Sequence, residues 1–150
     1  MANYKRTEFN NEGRGREHIA LLLAGGDGNR LRELTKEIAG TPIPKQYCRL
    51  YGNTSLLEAT LTRARLFTSV ENIKIIINMD YLDLAMEQAH DLPTENMFVQ
   101  PENRDTGPGL IFSLLRIRQT CRDATLAVFP TDHGDRIRVS CTRKIRAGTQ

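Results

Sequence analysis

Four polar stretches of this chain carry residue types that could do chemistry. The first is Leu23-Ala24-Gly25-Gly26-Asp27-Gly28-Asn29-Arg30-Leu31. Three glycines let a backbone turn tightly and bring amide groups up to phosphate oxygens. Arg30 adds a planar cation suited to bidentate phosphate contact. There is no Gly-Lys-Ser/Thr, so this is not a Walker-A loop. The third glycine and direct helix entry of a dinucleotide fingerprint are missing too. The competing reading is a plain strand-to-helix turn with Arg30 in solvent. The second stretch, Pro42-Ile43-Pro44-Lys45-Gln46-Tyr47, is stiffened by two prolines. It presents Lys45 either as a point charge for a polyphosphate or as an ordinary surface lysine.

The third stretch, residues 99–109 (VQPENRDTGPG), is dense in groups able to contact a base, a ribose or a phosphate. Asp105, Thr106 and Gly107 stand where the first amides of a helix could meet an anion, and Asp105 or Thr106 could equally be its N-cap. The fourth is Phe129-Pro130-Thr131-Asp132-His133. A carboxylate at the end of a buried strand suits Mg²⁺, which takes one or two carboxylates plus substrate phosphate oxygens. His133 is a candidate for a supporting donor, although a lone histidine is more often structural.

Something must bring these stretches together. Residues 18–24 (HIALLLA), 73–78 (IKIIIN), 97–100 (MFVQ) and 125–129 (TLAVF) read as short strands buried on both faces. Ser55-Leu56-Leu57-Glu58 has the form of a capping box, with Leu57, Leu61 and Ala64 at helical spacing behind it. Asp80 is expected to cap a helix through about residue 91, and Pro108 to sit in the first turn of another through about residue 122. Strands alternating with helices predict βαβ units: an α/β, mostly parallel sheet with helices on both faces. Ligands of such sheets bind beyond the carboxyl ends of the strands. The first, third and fourth polar stretches each follow a strand, which places them on one edge.

The 150 residues suit one domain with its own core. The longest early apolar run, residues 19–24, is too short to span a membrane. Residues 1–17 are polar and mixed in charge. They read as a flexible N-terminal arm, not a signal peptide. Three cysteines without pairing or metal spacing favour reduced thiols and a cytoplasmic location. The net charge of +3 hides an asymmetry, because five basic residues and only Asp135 on the acidic side fall in residues 134–150. The body has no basic bias and the tail no aromatic to stack on bases, which argues against nucleic acid as a partner.

Taken in order, the motifs resemble the sugar-phosphate nucleotidylyltransferases, most closely the mannose-1-phosphate guanylyltransferases. That family has L-A-G-G-x-G-x-R-L, P-K-Q, a leucine-rich helix, E-P-x-x-R-x-T-x-P and P-S-D-H. Residues 23–31, 44–46, 55–63, 100–108 and 130–133 match them in the same order. The resemblance implies a Rossmann-like sheet of the nucleotide-diphospho-sugar transferase type, here incomplete at the C-terminus. It implies that Gly25, Gly26, Gly28 and Arg30 hold a nucleoside triphosphate, with Leu23, Ala24 and Gln100 in the same binding set. Lys45 would contact phosphate. Arg104, Asp105, Thr106 and Pro108 would line the base side, and Asp132 would hold Mg²⁺. Arg30, Lys45 and Asp132 are the implied catalytic groups. The implied reaction passes a nucleoside monophosphate, GMP favoured, from GTP to a sugar-1-phosphate, mannose-1-phosphate favoured, with release of pyrophosphate.

The chain departs from the pattern in places. Arg32-Glu33-Leu34-Thr35 replaces Trp-Pro-Leu-Ser, Gln100 a glutamate, Asp105 an asparagine, and Gly107 and Gly109 alanines. Asp105 bears on base selectivity, since a carboxylate and an amide offer different hydrogen-bond patterns. Two rival readings stand beside this one. An isoprenoid-pathway cytidylyltransferase has L-A-A-G-x-G-x-R-M and P-K-Q-Y, which fits residues 44–47 well and residues 100–108 and 130–133 poorly. The other is a non-catalytic, truncated nucleotide-binding module. In the resembled family the sugar-phosphate site and a second metal-binding aspartate lie downstream of the last motif. Negligible turnover is therefore expected of these 150 residues alone. Residues 134–150 read as a frame-shifted or truncated tail, with a basic edge strand through Ile137, Val139 and Cys141 as the competing reading. Four strands with an unpaired edge would favour aggregation.

Overall fold

The computed structural model describes residues 17–50, 52–132 and 142–144. His133, the alternation at Ile137, Val139 and Cys141, and all of the N-terminal arm except Glu17 lie outside them.

Four parallel strands form the centre: β1 (Glu17–Leu23), β2 (Ile73–Asn78), β3 (Met97–Gln100) and β4 (Ala124–Pro130). Their spatial order is β3-β2-β1-β4, followed by β5 (Thr142–Lys144), which runs antiparallel along the outer edge of β4. The β4 edge, expected to be unpaired, is thus paired at Thr125–Ala127 with residues 142–144. The β2 and β3 bounds agree with the expectation from sequence. β1 and β4 differ from it by one residue at each end.

Side chains of β1 alternate between two cores. Ala20 and Leu22 meet α2 (Leu56–Phe67) and α3 (Leu82–Gln88) through Leu57, Leu61, Ala64 and Ala85. Ile19 and Leu21 meet α4 (Thr106–Thr120) through Ile117. Both faces of the strand are therefore dry, which is why its sequence is a continuous apolar run. Crossovers between parallel strands are right-handed as a rule. The chain steps β1→β2→β3 in one direction and then back past β1 to β4, so α4 must cover the opposite face.

The capping box at Ser55 is present in full. Ser55 Oγ accepts from Glu58 N–H (3.1 Å), and Ser55 N–H donates to Glu58 Oε2 (2.7 Å). The buried Ser55 hydroxyl also donates to Gln88 Oε1 of α3 (2.7 Å), so the cap ties two helices together. Partial burial pushes the Glu58 carboxyl up, but bonds from Ser55 and Arg49 outweigh it and hold the group below the usual carboxylate range. Its contribution to stability is therefore complete at neutral pH and fades as the pH falls through that lowered value. Ser55→Ala should cost about 1–2 kcal/mol, read as a lower urea midpoint at unchanged slope.

Two helix starts differ from the sequence-based expectation. Asp80 does not cap α3. Asn78, at the end of β2, accepts from the Asp80 N–H (3.3 Å) and opens a single 3₁₀ turn, Met79–Tyr81, from which α3 continues. The side-chain cap therefore sits two residues earlier than expected and serves the 3₁₀ turn, while α3 itself starts behind Tyr81 with no side-chain cap. The other is α1 (Arg32–Ala39), which the reading of the sequence did not include. It follows a 3₁₀ turn at Asn29–Leu31 and ends at Gly40, whose φ of 77° is the left-handed stop expected there. Its inward residue is Thr35, while Leu34 and Ile38 stay exposed, so apolar periodicity pointed away from the packed face.

Candidate active site

The strand order reverses between β1 and β4, and a cleft of about 340 Å³ opens beyond their carboxyl ends. This is the position that topology favours for a ligand in an open α/β sheet. Register sets its floor: Leu23 pairs with Pro130, and the Thr131 hydroxyl donates to the Leu23 carbonyl (2.6 Å). Asp132 is thereby delivered to the rim directly beside the glycine-rich loop.

The segment after α1 docks on that loop from the other side. Gln46 is buried, and its Nε2 donates to the carbonyls of Ala24 (3.0 Å) and Gly26 (2.6 Å). The buried Tyr47 hydroxyl donates to the same Ala24 carbonyl (3.1 Å). Burial, helped by nearby Tyr81, pushes the Tyr47 phenol well above its ordinary pKa, so it remains a donor throughout the physiological range. The backbone is held as well, with Leu57 N–H donating to the Gln46 carbonyl (2.9 Å) and Gln88 Nε2 to the Tyr47 carbonyl (2.8 Å). Between these anchors Lys45 projects into the cleft, where its Nζ lies 3.1 Å from Asp132 Oδ2.

The third wall is the start of α4. Asp105 occupies the N-cap position, but its side chain makes no capping bond. Its backbone has φ 64° and ψ 178°. That region costs a non-glycine residue about 1–3 kcal/mol. Strain of this kind persists only where the surroundings enforce it. Asn103 Oδ1 accepts from the Asp105 N–H (3.0 Å) and helps to enforce it here. Gly109 closes the wall: a Cβ there would stand 3.0 Å from Gln100 Nε2 and 3.1 Å from Ile76 Cδ1.

Of the residues singled out from sequence, Leu23, Gly25, Gly26, Lys45, Gln100, Asp105, Thr106 and Asp132 converge on this one cleft. Ala24 is fully buried behind it, serving as the double acceptor just described. Gly28 makes the turn, with φ 62°. Arg30 lies in the exposed 3₁₀ turn, outside the lining of the cleft. Arg104 and Pro108 face a separate shallow depression, where Arg104 Nε donates to Glu102 Oε1 (2.7 Å). Gln46, Asn103, Gly109 and Thr131 also line the cleft; they lie within the stretches singled out from sequence but were assigned no role there. Gln46 had a signal in its place after Lys45, but its role required knowing which carbonyls it would meet.

A model of the nucleotidyl transferase family matches residues 19–141. The chain belongs to the nucleotidyl transferase family. A mannose-1-phosphate guanylyltransferase of Escherichia coli is 30% identical over 117 residues, which is 77% of this chain and 24% of that protein. The alginate biosynthesis protein AlgA of Pseudomonas putida is 29% identical over 117 residues, with 77% and 23% covered. A solved structure described as a mannose-1-phosphate geranyltransferase, from Thermus thermophilus, superposes with a TM-score of 0.63 at 28% identity, over 77% of this chain and 32% of that one. The chain thus spans about a quarter of the length of the curated family members it matches. Among the described residues, no helix is long and apolar enough to cross a membrane.

Proposed function

We propose that the cleft binds a nucleoside triphosphate, GTP favoured over CTP, and that the whole protein transfers its nucleoside monophosphate to a sugar-1-phosphate, mannose-1-phosphate favoured. The observation that carries this reading is convergence. A glycine-rich loop, a lysine, a helix start and a strand-end carboxylate, drawn from four separate stretches, surround one cleft at the strand-order switch.

In that reaction an oxygen of the sugar phosphate attacks the α-phosphorus and the bond to the β-phosphate bridging oxygen breaks, releasing pyrophosphate. Charge spreads over phosphate oxygens, so positioning and neutralisation supply most of the rate. Gly25 and Gly26 line the β1 side, where backbone amides would meet phosphate oxygens. Lys45 is held by Gln46 and Tyr47 where it can neutralise a phosphate oxygen. Among the described residues no group of three or more His, Cys, Asp or Glu could hold a metal. Asp132, at the rim of the cleft, would offer one carboxylate to a Mg²⁺ ion whose remaining ligands would be water and substrate phosphate. Such an ion would neutralise charge on the polyphosphate.

The test is calorimetric titration of the 150-residue chain with GTP, CTP, ATP and UTP in the presence of Mg²⁺. GTP should bind tightest. A preference for CTP would move the assignment to the cytidylyl class, and equal binding of free tripolyphosphate and all four nucleotides would remove any base pocket.

A further inference from the structure

Asp27 stands inside the glycine-rich loop, where a bound polyphosphate would repel it, and it does not line the cleft. Its half-buried carboxylate is instead gripped by two side-chain amides. Oδ1 accepts from Asn78 Nδ2 (3.1 Å), and Oδ2 accepts from Asn103 Nδ2 (3.0 Å). Neither amide is free to turn over. Asn78 Oδ1 accepts from the Asp80 N–H (3.3 Å), and Asn103 Oδ1 from the Asp105 N–H (3.0 Å). Both therefore present N–H groups to residue 27, which must offer two acceptors. Only a carboxylate does so; a carboxamide offers one oxygen and would set a donor against a donor.

We propose that Asp27 is a positioning residue: it ties the glycine-rich loop to the ends of β2 and β3 and, through Asn103, holds the strained Asp105 at the cleft. The phosphate side and the α4 side of the site then move as one body. What Asp27 positions rests on the nucleotide reading above; the tie itself does not.

Two measurements on the 150-residue chain separate the two ideas. The first needs no ligand. In Asp27→Ala, exchange of the Asn103 side-chain amide and the Asp105 backbone amide should quicken about three- to tenfold, the worth of one lost hydrogen bond. Unchanged exchange at both would overturn the tie. The second compares Mg²⁺–GTP with Mg²⁺–tripolyphosphate. Asp27→Ala should weaken GTP about tenfold by freeing Asp105, while tripolyphosphate, which lacks a base and gains from the lost negative charge, binds as well or better. Asp27→Ala with Asn103→Ala should weaken GTP no more than the larger of the two single changes, because both break the same connection. Equal losses for the two ligands, or additive losses in the double variant, would overturn the positioning role. Should the parent chain bind neither ligand, the nucleotide reading and the positioning role built on it fail together, and exchange alone decides the tie.

Discussion

Gly28→Val should destabilise the protein by about 3–5 kcal/mol, enough to remove a large part of the stability of a domain of this size. Two causes add. Gly28 has φ 62°, a conformation a β-branched residue resists strongly. A Cβ there would also stand 3.0 Å from the backbone N of Lys45 and 3.1 Å from Pro44 Cα. These are main-chain atoms of a segment pinned by Gln46, Tyr47 and Leu57, so they cannot give way as a side chain would. Gly26→Ala is the control. Its Cβ would meet nothing within 4 Å and its φ is not left-handed. It should therefore unfold within about 1 kcal/mol of the parent. Urea denaturation of both variants reads the contrast. Equal midpoints would mean that the contact between the loop and the Pro44–Lys45 segment does not hold in solution.

Lys45→Met should separate binding from stability. The ion pair with Asp132 is partly exposed, with side chains 33% and 44% accessible. A pair of that kind contributes about 0–1 kcal/mol. The urea midpoint should barely move. Affinity for a magnesium nucleoside triphosphate should fall about 10- to 100-fold, since a hydrogen bond from an ammonium group to a phosphate oxygen is worth about 1.5–3 kcal/mol. Calorimetry on parent and variant decides it. Loss of stability in step with affinity would recast Lys45 as a structural residue, and unchanged affinity would take it out of the site. The Lys45–Asp132 contact also couples the two groups. A phosphate that draws Lys45 away leaves Asp132 with one cation fewer beside it.

Much of the fold was legible because its signals are local. Residues 73–78 read as a strand with both faces buried, and the Ser55 box names its own helix start. Where local signals competed, reading failed. Asn78 and Asp80 can both cap a helix. Which one does so depends on Asn78 being held at the end of β2 with its Nδ2 turned to Asp27. Helix Arg32–Ala39 was passed over although Leu31, Leu34 and Ile38 stand at helical spacing, and only the structure shows that this apolar side is exposed while Thr35 packs inward.

The site divides along the same line. Glycines after a strand, a lysine between prolines and a carboxylate ending a strand declare their chemistry by type and position. The rule that ligands sit beyond strand ends then places them on one edge. The sequence by itself therefore determined the class of fold, the family and the edge on which the candidate cleft lies. Only the tertiary structure decided which residues meet. By residue type and context Arg30 looks the better suited to phosphate, yet Lys45 reaches the cleft and Arg30 lies in an exposed turn outside it. The physical reason is that reach and direction are set by long-range hydrogen bonds, such as Gln46 to Ala24 and Thr131 to Leu23. Their partners lie 22 and 108 residues apart and leave no periodic trace in the chain.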